Sequence, residues 1–150
     1  MRVDANLRDP RPDRGFKLRL FHQLVREHGP IGVDGMAADD GHNALVDTFF
    51  SPSNSFFEQN VPLEWVWLFP PRDMLGLVFH FLEEKRKQGH LYKVFLLVPE
   101  EVRAPSFRFC SAYKRVSRFR AGSDLFREFD GLNWRKAPAS RVPYLILKSR

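Results

Sequence analysis

The run Trp65-Val66-Trp67-Leu68-Phe69-Pro70-Pro71-Arg72 constrains this chain more than any other segment. Its first five residues are apolar or aromatic and suit a pleated strand. Two consecutive prolines then remove two backbone donors and fix two φ angles, so the strand stops at Phe69. Met74–Leu82 follows as an apolar run of helical length, and Asp73 is placed to cap it. A strand leading abruptly into a helix is the repeating unit of α/β proteins. In such folds ligands collect at the carboxyl ends of strands, which makes Phe69-Pro70-Pro71-Arg72 a candidate site wall.

The rest of the chain continues that alternation. Residues 1–15 read as an irregular arm, broken by Pro10, Pro12 and Gly15, ahead of a single domain over residues 16–150. Phe16, Leu20 and Leu24 recur every four residues, with Phe21 and Val25 beside them. That spacing predicts an amphipathic helix to about His28, stopped by Gly29-Pro30. Ile31–Asp34 reads as a short buried strand ending in an acid, and residues 39–64 as loop with a short helix near Asn43–Thr48. A helix is predicted over Met74–Gln88, with Glu83 and Lys87 as an i,i+4 pair and Gly89 as terminator. Tyr92–Val98 reads as a buried strand ended by Pro99, Ser106–Tyr113 as a helix, and Val116–Arg120 and Val142–Lys148 as strands. Strands alternating with helices predict a Rossmann-like α/β fold, a mainly parallel sheet with helices on both faces.

Composition narrows the partners. A hydrophobic fraction of 43% and 15 Phe in 150 residues argue for one packed domain. No apolar stretch approaches the ~20 residues of a membrane helix, so no membrane partner is expected. The first fifteen residues mix Arg2, Arg8, Arg11 and Arg14 with Asp4, Asp9 and Asp13 and lack an apolar core, which argues against a secretory signal or a transit peptide. Cys110 is the single cysteine and cannot form an internal disulfide, so a reducing, intracellular compartment is expected. The net charge of +6 equals the contribution of Arg103, Arg108, Lys114, Arg115, Arg118 and Arg120, a stretch free of Asp and Glu. Phe107, Phe109, Tyr113 and Phe119 lie among them. Cations neutralise phosphates and aromatic faces stack on bases, so this is a candidate nucleic-acid surface. Core aromatics beneath a solvated cationic face fit the same residues.

The stretch Phe21-x-x-Leu24-x-x-Glu27-x-Gly29-Pro30-x-x-Val33-Asp34-x-x-Ala37-Ala38-Asp39, followed by Asn43-Ala44 and Phe49-Phe50, resembles phage-type Dam-like DNA adenine methyltransferases, a family whose domain also occurs in DIRS-type retroelements. The order of later segments agrees: the strand entering Pro70-Pro71, the long helix, Val94–Pro99 and Val142–Leu147. The resemblance covers about residues 16–148 and rests on order and spacing. It implies a pocket for S-adenosylmethionine formed with Asp34 and Asn43 and DNA as partner, while the residues themselves lead to no metal being expected. An acid at a strand's carboxyl end suits ribose hydroxyls or an ammonium. Asp34 and Asn43 also suit plain capping of a turn and a short helix.

The chain departs from the family at the catalytic turn. There an Asp or Asn before Pro-Pro accepts from the exocyclic amine, and an aromatic after it stacks on a flipped base. Phe69 has no side-chain acceptor, and Arg72 brings a positive charge toward a sulfonium. Loss of one positioning polar group costs on the order of 10²–10³-fold in rate. The family's opening Thr-Pro is absent near Phe16-Lys17, and Glu100-Glu101 follow the strand ended by Pro99. Those two glutamates suit acid–base work or a solvated surface. Asp39 and Asp40 lack a well-spaced third ligand for a cation. His22, His28, His42, His80 and His90 show no metal spacing, and Cys110 has no base in its neighbourhood. The expectation is a degenerate DNA adenine methyltransferase-like domain, catalytically impaired, acting as a nucleic-acid-binding or assembly module, alone or within a larger parent protein. The alternative is an active S-adenosylmethionine-dependent amino-methyltransferase acting on DNA adenine or another amine.

Overall fold

The computed structural model describes residues 13–150. The arm expected over residues 1–15 lies outside the described residues up to residue 12, and Asp13–Phe16 is a strand, β1. Phe16 therefore does not open the first helix. It is almost fully buried and stacks on Trp67 with ring centroids 5.3 Å apart, which a strand position achieves. The helix α1 covers Leu18–His28, with Phe21 and Leu24 buried on one side and Arg19, His22, Gln23, Arg26 and Glu27 exposed on the other. Gly29 ends it at φ 112°, a value L side chains disfavour, and returns its N–H to the Val25 carbonyl.

The principal sheet has five strands: β2 (Val33–Asp34), β3 (Val66–Leu68), β4 (Val94–Pro99), β5 (Lys114–Phe119) and, last in the chain, β8 (Tyr144–Lys148). Their spatial order is β2-β3-β4-β8-β5. β2, β3 and β4 run parallel, and β8 runs antiparallel to both β4 and β5. A second, wholly antiparallel sheet joins β1 to β6 (Phe126–Phe129) and β7 (Trp134–Lys136) in the order β1-β6-β7.

Four of the six strand ladders among the described residues are thus antiparallel. The mainly parallel, Rossmann-like sheet expected from the sequence is not what this chain forms. The reason is physical: an unbroken apolar run reports burial on both faces and carries no information about direction. Leu145 and Leu147 of β8 enter one core while Tyr144 and Ile146 enter the other, as a parallel core strand would. β6 and β7 escape a periodicity reading because they are short and carry charged residues. Their turn had its own signal in Asp130-Gly131, where Gly131 adopts φ 103° and the Asp130 carboxylate accepts the N–H groups of Leu132 and Asn133.

Four further expectations shift. A 3₁₀ turn over Arg72–Met74 precedes the second helix, α2 (Leu75–Lys87), and no side chain caps it. Glu83 pairs with Arg86, and Glu84 with Lys87, so the Glu83–Lys87 pair is replaced by pairs at three-residue spacing. Pro105–Ala112 is a 3₁₀ helix, and residues 43–48 form turns rather than a helix.

The principal sheet divides two hydrophobic clusters. On one side Leu75, Val78, Phe79 and Leu82 of α2 pack on Val94, Leu96 and Val98. Phe56 anchors the long loop there, with the rings of Phe57, Phe81 and Tyr92 5.5–5.9 Å away. On the other side Phe16, Phe21, Leu24 and Phe126 pack on Trp67, Phe95 and Leu97. Lys148 ties α1 to this second core. Its ammonium lies 4.9 Å from the Trp65 ring centre and 5.3 Å from that of Phe95, and it donates to the His28 carbonyl at 3.2 Å. A cation at a helix C-terminus also meets the negative end of the helix dipole. Replacing Lys148 with Met keeps the stem and removes the charge, and is expected to cost about 1–2 kcal/mol in urea unfolding. An unchanged midpoint would show that the clamp contributes nothing.

Candidate functional site

Asp34 closes β2 and is buried, 4% exposed. Its two carboxylate oxygens accept the N–H groups of Met36 at 3.2 Å and Leu45 at 3.0 Å. Its backbone is engaged as well, donating to the Thr48 carbonyl and accepting from Phe50. Asp34 therefore folds the loop of residues 35–50 back over the end of its own strand. Asn43 works in the same loop, where its side-chain oxygen accepts the Ala38 N–H at 2.7 Å. Gly35 follows Asp34 because there is no room for a side chain: a Cβ there would lie 2.5 Å from Cδ2 of Leu68. Burial pushes the Asp34 carboxyl above its ordinary pKa, and the Leu45 and Met36 N–H groups only partly offset this.

The Pro-Pro turn lies at the same end of the sheet. The Phe69 ring stacks on Phe126 at 5.4 Å and 6°, and Pro70 is buried. Pro71 and Arg72 are exposed, and Arg72 reaches Glu101 at 3.1 Å. S-adenosylmethionine would need unengaged acceptors and a cleft. The carboxylate of Asp34 and the amide oxygen of Asn43 already serve backbone N–H groups. A cleft beside Pro99 and Glu101 has a volume of about 10 Å³, and one between α1 and β5 about 60 Å³. Small-molecule sites occupy roughly 300–1,000 Å³. Both clefts are far smaller than that, and neither is lined by Asp34 or Asn43.

The basic segment takes a different form from the one its composition suggests. Phe107, Phe109 and Tyr113 pack against one core cluster and Phe119 against the other. Burial pushes the Tyr113 phenol up to about 12. Arg108 lies over the Phe109 ring at 4.9 Å, and Arg103 stands exposed in the loop before the 3₁₀ helix. Lys114, Arg115 and Arg118 line β5 and Arg120 follows it, all exposed. β5 pairs only with β8, so its other side is an open sheet edge among the described residues.

Glu100 and Glu101 join this edge to the Pro-Pro turn. Glu100 accepts from Nε of Arg118 at 2.8 Å and lies 3.8 Å from Arg115, while Glu101 holds Arg72. Two adjacent carboxylates thus collect three arginines from two segments that are far apart in sequence. The arginine side chains stay open, 64% for Arg72, 55% for Arg115 and 42% for Arg118, whereas Glu100 is 18% exposed. The organising role of Glu100 and Glu101 had a signal in the acidic pair directly after a strand end.

Other candidates are spoken for. Asp39 accepts from the N–H and hydroxyl of Ser53, and Asp40 pairs with His42. His22, His80 and His90 are exposed, and among the described residues no group of three or more His, Cys, Asp or Glu is arranged to hold a metal ion. Burial raises the Cys110 thiol, which lowers its thiolate fraction. Compared with known proteins, the chain matches no family model, no curated protein and no solved structure.

Asp34→Asn leaves one of two buried N–H groups without an acceptor and is expected to cost about 1–3 kcal/mol. Because the folded-state pKa of Asp34 is raised, its contribution is complete below the ordinary carboxyl range and is lost as pH rises through the raised value. The stability gap between the native chain and Asp34→Asn should therefore widen as pH falls from about 7 to about 4 in urea titrations. A gap that narrows would show that the Leu45 and Met36 N–H groups outweigh burial in setting the Asp34 ionisation.

Proposed function

We propose that this chain is a nucleic-acid-binding module without efficient methyl-transfer chemistry, and that DNA phosphates meet the rim formed by Arg72, Arg115 and Arg118. The observation that carries the reading is the pair Glu100-Glu101, which holds three open guanidinium groups along one edge. An arginine already oriented by a carboxylate can offer its remaining N–H donors to a phosphate with little loss of side-chain freedom. Arg120 follows Arg118 at strand spacing, and Lys114, Arg103 and Arg108 belong to the same stretch of chain. Residues 103–120 contain six Lys or Arg and no Asp or Glu, so positive charge is concentrated in the segment that builds this edge. The resemblance to DNA adenine methyltransferases supports DNA as the nucleic acid. Phe69, engaged on Phe126 and lacking an acceptor, supports the loss of catalysis. The lone Cys110 is in keeping with a reducing compartment, and no helix among the described residues is long and apolar enough to cross a membrane.

Cations on an open strand edge also discourage unwanted strand pairing. Salt-dependent binding separates the two roles. Changing Arg115, Arg118 and Arg120 together to Ala should weaken duplex DNA binding and reduce the slope of log K against log salt by about 2–3. Unchanged affinity and slope in the folded variant would show that the rim does not bind DNA. Calorimetric titration with S-adenosylmethionine is expected to give no saturable heat. Saturable binding that Asp34→Ala abolishes would return the chain to the enzymes.

A further inference from the structure

The small sheet carries a surface that the arginine rim does not use. Strand alternation places Arg127 and Phe129 of β6 on one face with Trp134 and Lys136 of β7, while Phe126 turns into the core. On that face the Arg127 guanidinium lies 4.0 Å from the Trp134 ring centre. Trp134 lies 5.1 Å from Phe129, and Phe129 stacks on His42 at 4.4 Å and 28°. Four planar groups thus run in sequence from Arg127 to His42. β1 contributes Gly15 opposite Arg127, and a Cβ at Gly15 would come within 3.3 Å of the Trp134 ring. The missing side chain is what lets the indole lie against the strand.

Three further observations point to an anionic, planar partner. Arg127, Phe129 and Trp134 are only half-buried, and Lys136 is exposed. The Nε of Arg127 is shielded from solvent yet has no acceptor among the described residues. A donor that loses water without gaining an acceptor is costly, and such groups call for a bound water or ion. The neighbouring carboxylates are meanwhile engaged within the chain: Asp130 with its own turn, Glu128 near Arg135, Asp124 with Lys17 and Asp40 with His42. Two cations therefore flank a π surface whose nearby acids are committed to other groups.

We propose that this face binds single-stranded DNA, with bases stacking on the Trp134–Phe129 rings and phosphates meeting Arg127 and Lys136. Duplex bases are already stacked on one another, so an aromatic sheet face selects strands whose bases are free. The inference rests on the nucleic-acid reading for the class of partner; its site and chemistry are separate from the rim.

Tryptophan fluorescence tests it. Trp67 is 1% exposed and Trp65 lies against Lys148 and Phe95, which leaves Trp134 as the tryptophan placed to meet a base. A thymidine oligomer of about 20 nucleotides should quench the emission, and Trp134→Phe should remove most of the quenching while retaining most of the affinity. Trp134→Ala should raise the Kd for that oligomer about 5- to 150-fold while changing the Kd for a duplex of equal length less than about 2-fold. Near-UV circular dichroism checks that the variant is folded. If Trp134→Ala fails to fold, the quenching of the native chain and its loss in Trp134→Phe decide between binding and no binding at this face. No quenching at saturation, or unchanged single-strand affinity in folded Trp134→Ala, overturns the proposal. The triple Arg variant of the rim should weaken both DNA forms. If it weakens neither while Trp134→Ala weakens the single strand, the rim reading fails and the aromatic face stands. If it weakens both while Trp134→Ala weakens neither, the rim stands and the aromatic face fails.

Discussion

β4 and β8 pair over five positions, from Phe95 opposite Lys148 to Pro99 opposite Tyr144, and that ladder positions most of what surrounds it. Every residue of β4 is buried. Such a strand needs cover on both faces and partners on both edges, because its N–H and C=O groups are cut off from water. β3 supplies one edge and β8 the other. α2 covers one face, while α1 and the small sheet cover the second. The same pairing brings Glu100 beside Pro143, whose carbonyl accepts its N–H at 2.8 Å, and so sets Glu100 facing β5. The arginine rim is in this sense a by-product of how the core strand finds its second neighbour.

Acidic residues at strand ends and turns do architectural work throughout. Asp34 folds the loop after β2, Asp39 fastens it to Ser53, Asp130 shapes the β6–β7 turn, and Glu100 and Glu101 gather arginines. At Asp34 the carboxylate substitutes for water at backbone donors that folding buries, while the others orient exposed turns and guanidinium groups. Buried under its own loop, the Asp34 carboxylate is little open to a ligand even though each of its oxygens accepts only one N–H. That is the physical content of the difference between Asp34 here and an acid poised at an open pocket.

Elements with strong periodicity or decisive punctuation were legible in the sequence. The four-residue apolar spacing before Gly29, the strand stopped by Pro70 and the apolar run from Val94 all correspond to elements of the structure. What could not be read was pairing. Nothing local in Val142–Lys148 distinguishes a strand that runs with β4 from one that runs against it. The candidate site divided along similar lines. The cations of β5 were visible as composition, and so were their aromatic neighbours, but whether Phe107 and Tyr113 face solvent or core depends on α2, which lies far away in sequence. The link between Arg72 and Glu101, and the stack of His42 on Phe129, join residues whose meeting only the tertiary fold decides.

The position of β8 between β4 and β5 has a consequence for how the molecule is made. β4 and β5 follow one another in the chain but do not pair with each other, and the strand that joins them comes later than both. Until residues 144–148 have been synthesised, β4 has one unsatisfied edge composed wholly of apolar residues, the kind of edge that recruits foreign strands. Insertion of β8 must also close a span of over forty residues back to β4, a non-local step that slows the completion of sheets. Folding of this chain is thus a race between one late strand and every other edge in the cell, and the charged border of β5 keeps the finished side of that gap from entering the race.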